Sequence, residues 1–321
     1  MVRLDTETER ETMTRSFFRP ITRIALLSLL VLPLLSGGVP AGEQWKSLPK
    51  TAEKMRGVMG RDYLYIEKGG LLIVSDLDKY TLDGLTKKDM FLYMQVLQRD
   101  FFDKPQRSVV KDSEIFLTVF LFKNRDSYVK GLRKININVA EEDENNQDAV
   151  RDGYFYGGKE RNFILINYHE NYEQGISIYA HELCHALMRR EFYKPPSWLN
   201  EGIATMIGHS KLVDGRFQYD GDSGIAGAKR MLDKGEIPPL SRILAATGKD
   251  FSARQGSYRI YVSSEQFCRY LQSSNALRTI YRALRDESSN RGKSAEVVSR
   301  TTGLTLEKLE KVWHAWLRKQ E

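Results

Sequence analysis

The spacing of apolar residues sorts the chain into segments of three kinds. From Leu85 to about Asp103, apolar side chains recur at Met90, Phe91, Tyr93, Met94, Val96 and Leu97, a helical period that predicts a helix ending before Pro105. Glu114 to Phe122 is a continuous β-branched, aromatic and leucine run, the pattern of a strand buried on both faces. Asn124 to Arg133 reads as a short helix, and the acidic stretch Glu141 to Asp148 as a solvated loop. Gly153 to Tyr156 and Asn162 to Asn167 flank a Gly-Gly-Lys-Glu-Arg segment and predict a β-hairpin. From Glu173 onward the period is helical to the end. It is broken at Pro195 and Pro196, from Gly221 to Gly227, at Pro238 and Pro239, from Gly248 to Gly256, from Ser288 to Gly292 and at Gly303. Strands first and helices later is the order of an α+β domain.

The first residues read differently. Arg15, Arg19 and Arg23 precede an apolar run from Ile24 to Leu35, and Val39, Pro40 and Ala41 follow in the small-x-small form of a signal-peptidase site. The run spans 12 residues, against the roughly 20 that a bilayer span needs. The expectation is an export signal over 1–41, cleaved after Ala41, with a periplasmic or secreted mature chain and membrane contact only through the signal. Residues 42–110 then form an N-terminal region, with a helix and a strand-like run but no nameable chemistry, read as a cap. Residues 111–321 form the main domain, with a helical subdomain from about 222.

Composition narrows the classes. Of 321 residues, 41% are hydrophobic and 28% charged, with 24 Gly and 9 Pro, which excludes a disordered chain, a collagen and a polytopic membrane protein. Two cysteines exclude a disulfide scaffold and a Cys-rich zinc module, although an export compartment permits a Cys184–Cys268 bridge. The net charge of +7 is a small excess of 49 basic over 42 acidic residues, spread along the chain, so no nucleic-acid partner is expected.

The chemistry concentrates at residues 181–185, which read His-Glu-Leu-Cys-His. Histidines at i and i+4 lie one above the other on a helix and can grip one ion. Glu182, about 100° around the helix, can take a proton from an activated water and deliver it to a leaving amine. Arg189 and Arg190 fall in the last turn, where cations suit the helix dipole. Glu201 follows His185 by sixteen residues, on a second helix for which Ser197 is the expected N-cap. Two histidines and one glutamate leave the fourth position of a zinc ion for water, as a catalytic site requires. Among the other histidines, His169 reads as solvent-facing or capping, His209 as a cation at a helix end, and His314 as structural. Cys184 points away from the metal face.

His-Glu-x-x-His followed by Trp198-Leu-Asn-Glu201-Gly-x-Ala204 resembles the gluzincin metallopeptidases, and the short gap is most similar to the bacterial peptidase-MA-like group. The resemblance spans roughly residues 111–317 and also takes in Phe116 to Leu132, the hairpin from Gly153 to Asn167 and the tail from Leu304 to Leu317. It implies a thermolysin-like zincin core: an N-terminal β-sheet region, a zinc-binding helix and a C-terminal helical part. It further implies zinc held by His181, His185 and Glu201, with Glu182 as the general base. The substrate class it implies is a peptide or protein, lying along the hairpin's edge strand. A Gly-Ala-Met-Glu-Asn string, which aminopeptidase relatives carry upstream, does not occur here, so an endopeptidase or a narrow specificity fits better. The relatives also supply a Tyr or His from a later helix to the anionic intermediate. Tyr261 is the candidate and Tyr258 the alternative. Two other readings stay open: a degenerate zinc-site protein acting as a cell-envelope binding module, and a zinc amidase on cell-wall substrate.

Overall fold

The structure is a computed structural model that describes residues 51–102, 116–137, 152–157, 162–168, 171–219, 224–252, 257–287 and 293–320. The expected signal over 1–41, the acidic stretch 141–148 and His169 lie outside the described residues.

The strands β1 (Leu64–Lys68), β2 (Leu71–Ser75), β3 (Leu117–Phe122), β4 (Gly153–Gly157) and β5 (Asn162–Asn167) form one five-stranded sheet in the order β1-β2-β3-β5-β4. The central strands β2, β3 and β5 run parallel, and β1 and β4 are antiparallel edges. Every residue of β2 and β3 is buried. A strand that is apolar on both sides needs covering on both sides. One face, with Ile73, Val119, Leu121, Ile164 and Ile166, joins the main core. The other, with Val74, Phe120, Phe122, Phe163 and Leu165, packs with Met55 and Met59 of α1 (Ala52–Met59) and with Tyr128 and Leu132 of α4 (Arg125–Lys134). The alternation along each strand decides which core a side chain enters.

The N-terminal region is therefore woven into the sheet and does not sit apart as a cap. Its β1–β2 hairpin turns on Gly69 and Gly70, at φ 59° and 81°, the positive values that a two-residue turn of this hand requires. Its helices α2 (Lys79–Leu85) and α3 (Phe91–Asp100), joined by a π-helical turn over Thr86–Met90, cover the main core. Tyr93 donates a hydrogen bond to the Ser210 carbonyl at 2.9 Å.

The long helix α5 (Tyr172–Glu191) is capped by Asn171 and is buried nearly all round. Pro195 and Pro196 bar its continuation, and α6 (Ser197–Gly208) starts at once. Ser197 is not the cap: Pro196 occupies that position, Ser197 is the first helical residue, and no side chain caps the helix. After α6 the chain turns through a second hairpin, β6 (Ser210–Val213) and β7 (Arg216–Tyr219), where an unbroken helical pattern is expected from the sequence. The rest is helical: α7 (Ile225–Asp233), α8 (Leu240–Leu244), α9 (Gly248–Ser252), α10 (Ser257–Ser273), α11 (Leu277–Asp286), α12 (Ser294–Thr302) and α13 (Leu306–Arg318). The architecture is α+β.

Helix α6 is held between α5 and α10 by missing side chains. A Cβ on Gly202 would lie 2.6 Å from Cys268 Sγ and 2.7 Å from the Ser264 carbonyl oxygen. The second is backbone and cannot swing aside. We expect Gly202→Ala to destabilise the protein by about 1–3 kcal/mol through overpacking. Chemical denaturation would show a lowered midpoint at unchanged slope; an unchanged midpoint would mean that α6 and α10 are not so closely apposed.

Candidate metal centre

Helix α5 carries His181 and His185 one turn apart on the side that faces α6. Helix α6 carries Glu201 to meet them. His181 Nε2 and His185 Nε2 stand 3.2 Å apart. The Glu201 carboxylate places Oε2 3.7 Å from His181 Nε2 and Oε1 3.6 Å from His185 Nε2. One donor atom from each residue lies within 4.8 Å of the others, and all three residues are buried. The close approach depends on Gly208, where a Cβ would come 3.2 Å from His181 Cβ.

Asn200 fixes the proton positions. Its Nδ2 donates to Glu201 Oε1 at 3.1 Å, because a carboxylate only accepts. Its Oδ1 is then the acceptor for His185 Nδ1–H, also at 3.1 Å. That leaves the lone pair of His185 on Nε2, aimed at the centre. Burial, then the neighbouring His185 and His209, hold the His181 pKa well below the ordinary value, while a backbone hydrogen bond involving Ala204 acts the other way. His181 is thus neutral near pH 7 and can also offer a lone pair.

These donors suit a divalent ion. Two nitrogens about 2.05 Å from a common tetrahedral ion are separated by about 3.3 Å, close to the 3.2 Å observed. A carboxylate taken out of water beside two imidazole nitrogens is an environment that a cation would stabilise. His181, His185 and Glu201 form a cluster that can hold a metal ion.

Glu182 is 4% exposed and sits on the side of α5 that faces β4. A Cβ on Gly153 would lie 2.1 Å from Ile178 Cγ2 and 3.6 Å from Glu182 Cγ. The edge strand therefore runs directly against the helix at Glu182. Tyr261 lies on α10, is 1% exposed, and has its ring edge-on to Phe251 at 4.8 Å. Tyr258 packs at α7, where a Cβ on Gly227 would meet its hydroxyl at 2.6 Å. Cys184 and Cys268 are both buried and unbridged, and burial raises both thiols well above their ordinary pKa. His314 packs beside Trp313, with ring centroids 4.9 Å apart. No family model and no curated protein matches the chain.

Two features escape the sequence reading. One is the bridging role of Asn200. The other is a buried charge network behind α6. His209 caps α6 but also meets Glu265 Oε1 through Nδ1 at 3.0 Å, and Arg269 Nε reaches the same oxygen at 3.2 Å. The Arg269 guanidinium stands over the Tyr219 ring at 5.5 Å, which ties β7 to α10.

Asn200→Ala removes a partner from both His185 and Glu201. Loss of such outer-shell partners weakens metal binding about 10- to 100-fold. Competition with a chelator measures this, and unchanged affinity would show that Asn200 orients neither ligand. A second expectation concerns pH. Burial disfavours the charged His209, but the Glu265 charge and hydrogen bond outweigh it, so the His209 pKa is raised above its ordinary value; Arg269 opposes the shift. A raised folded pKa contributes stability that is full below the unfolded pKa, about 6.5, and lost as pH rises through the folded value. His209→Gln should therefore cost on the order of 1–3 kcal/mol at pH 6 and less at pH 9. Unfolding midpoints of the two proteins across that range should converge on the alkaline side, and a constant gap would count against the linkage.

Proposed function

We propose that this chain is a gluzincin-type zinc metallopeptidase with a thermolysin-like core, exported to the periplasm or secreted. The observation that carries the reading is the convergence of His181, His185 and Glu201 with Glu182 buried on the adjoining side of the same helix. Two imidazoles and one carboxylate are the donor set of a zinc site that keeps a position open for chemistry. Bound there, the ion would supply Lewis acidity to polarise a carbonyl and to acidify water.

The chain's own residues would do the rest. His185 is kept in the productive tautomer by Asn200. Glu182 would take the proton of the attacking water and pass it to the departing amine. Strand β4 lies on the outside of the sheet, with no partner on its outer edge among the described residues. An extended peptide could add there as a further strand and bring a scissile bond beside Glu182. The order sheet, metal helix, helical C-terminal part supports the thermolysin-like core. Tyr261, on the helix packed against α6, remains the proposed donor to the anionic intermediate, with Tyr258 the alternative.

Two substitutions test the reading together. Glu201→Ala should lose bound zinc, read by elemental mass spectrometry. Glu182→Gln should keep zinc at one per chain and lower peptide turnover about 10²- to 10⁴-fold, the usual contribution of a positioned base. Zinc-loaded protein that binds peptides yet is unaffected by Glu182→Gln would indicate a binding module instead. Cleavage of amide-linked cell-wall fragments in place of peptides would indicate an amidase.

A further inference from the structure

Arg189 lies seven residues beyond Glu182 on α5. Seven residues turn a helix through nearly two full turns, so the two side chains share a face, about 10 Å apart along the axis. Strand β4 runs along that face. Gly153 packs on Ile178 and Glu182, and at the other end Gly157 packs on Arg189, where a Cβ would come 2.5 Å from Arg189 Cδ and 2.7 Å from Nε. The guanidinium stem thus lies across the far end of the edge strand.

Beyond α5, Tyr193 exposes 61% of its surface. The Arg189 guanidinium carbon sits 4.9 Å from the centre of its ring and Lys194 Nζ 5.3 Å from it. An aromatic face attracts a cation but does not neutralise it. Neither Arg189 nor Lys194 has a carboxylate partner among the described residues. Arg99, Arg242, Arg269, Arg285 and Arg300 each have one. The helix dipole accounts for a cation in the last turn of α5. It does not account for Lys194, which lies past the helix, or for an exposed ring held between two positive charges.

From this arrangement we infer that Arg189, Lys194 and Tyr193 form a specificity subsite for an acidic side chain of an extended peptide substrate. The inference rests on the peptidase reading of the metal centre. A peptide added antiparallel to β4, which is the more stable pairing, runs from the Gly157 end towards Gly153. At about 3.3 Å per residue, the 10 Å from Glu182 to Arg189 corresponds to about three residues. The acidic residue therefore falls third on the N-terminal side of the scissile bond. Its carboxylate would meet two cations held in place by the ring, and its backbone would meet the strand edge.

The test uses the full chain loaded with zinc and pairs of quenched fluorogenic peptides that differ only at that position, Glu against Gln. The Glu peptide should show kcat/KM about fivefold higher, the effect of an exposed charge pair near the upper end of the usual range. The difference should lie in KM and should shrink in high salt. Arg189→Gln combined with Lys194→Gln should bring the ratio towards one. Lys308→Gln, which removes an exposed cation on α13, should leave it. Binding of the same peptide pair to Glu182→Gln gives a readout free of turnover and should show the same ratio. Cleavage with no preference, or a preference that survives in the double variant, overturns the subsite and leaves the peptidase reading standing. Failure to cleave or bind any peptide overturns both.

Discussion

Glu201 is 1% exposed, and taking a carboxylate out of water costs several kcal/mol unless charge and hydrogen bonds replace the solvent. Asn200 supplies one hydrogen bond. The imidazoles of His181 and His185 face the carboxylate and each other with nitrogens at 3.2–3.7 Å. With His185 Nδ1–H donating to Asn200 Oδ1 and burial holding His181 neutral, the groups turned towards the centre are acceptors. Lone pairs converging at this distance repel. A cation placed between them would turn that repulsion into attraction, and the cluster can hold one.

That convergence sets the packing. For Glu201 to reach α5, α6 must lie closer to its neighbours than ordinary side chains allow, and it does so through Gly208 towards α5 and Gly202 towards α10. The next polar layer is built from charges, His209 and Arg269 on Glu265. Buried ionic groups of this kind are costly to form and costly to break. They join the end of α6, the middle of α10 and, through Tyr219, the second hairpin. The N-terminal region enters the same assembly where Tyr93 holds the start of that hairpin at the Ser210 carbonyl. Parts of the chain far apart in sequence thus meet around one buried carboxylate.

The legible parts were those that depend on local spacing. The i, i+4 histidines, the buried strand at 117–122, the hairpin strands β4 and β5 and the helix breaks all follow from periods within a few residues. The β6–β7 hairpin carried its own signal. Asp214 and Gly215, at φ 51° and 68°, form an Asp-Gly turn between alternating runs, a strong short-range hairpin mark. The helices on both sides mask it by extending a helical period across it. In the N-terminal region, the all-buried Leu71 to Ser75 was a central-strand pattern, but its partner β3 lies more than forty residues away. No local rule pairs His209 with Glu265 across 56 positions either. Asn200 lies inside the Trp-Leu-Asn-Glu string, yet its role depends on two bonds in opposite directions, which only the fold reveals.

Helix periodicity also divides the labour on α5. His181 and His185 project towards α6, and Glu182, about 100° further round, projects towards β4. A group held by the histidines is thus approached by Glu182 from the sheet side, the side on which an extended chain can pair. Had the acid stood one residue before His181, the same rotation would have carried it to the opposite side of the helix, away from β4. The order of the two letters His and Glu therefore couples the metal centre to the strand edge. Ile178, one turn earlier, packs under Gly153, and Arg189, two turns later, packs under Gly157. One stripe of a single helix thus lines Ile178, Glu182 and Arg189 along β4, and in the proposed peptidase that stripe would set the direction and length over which a bound chain is read.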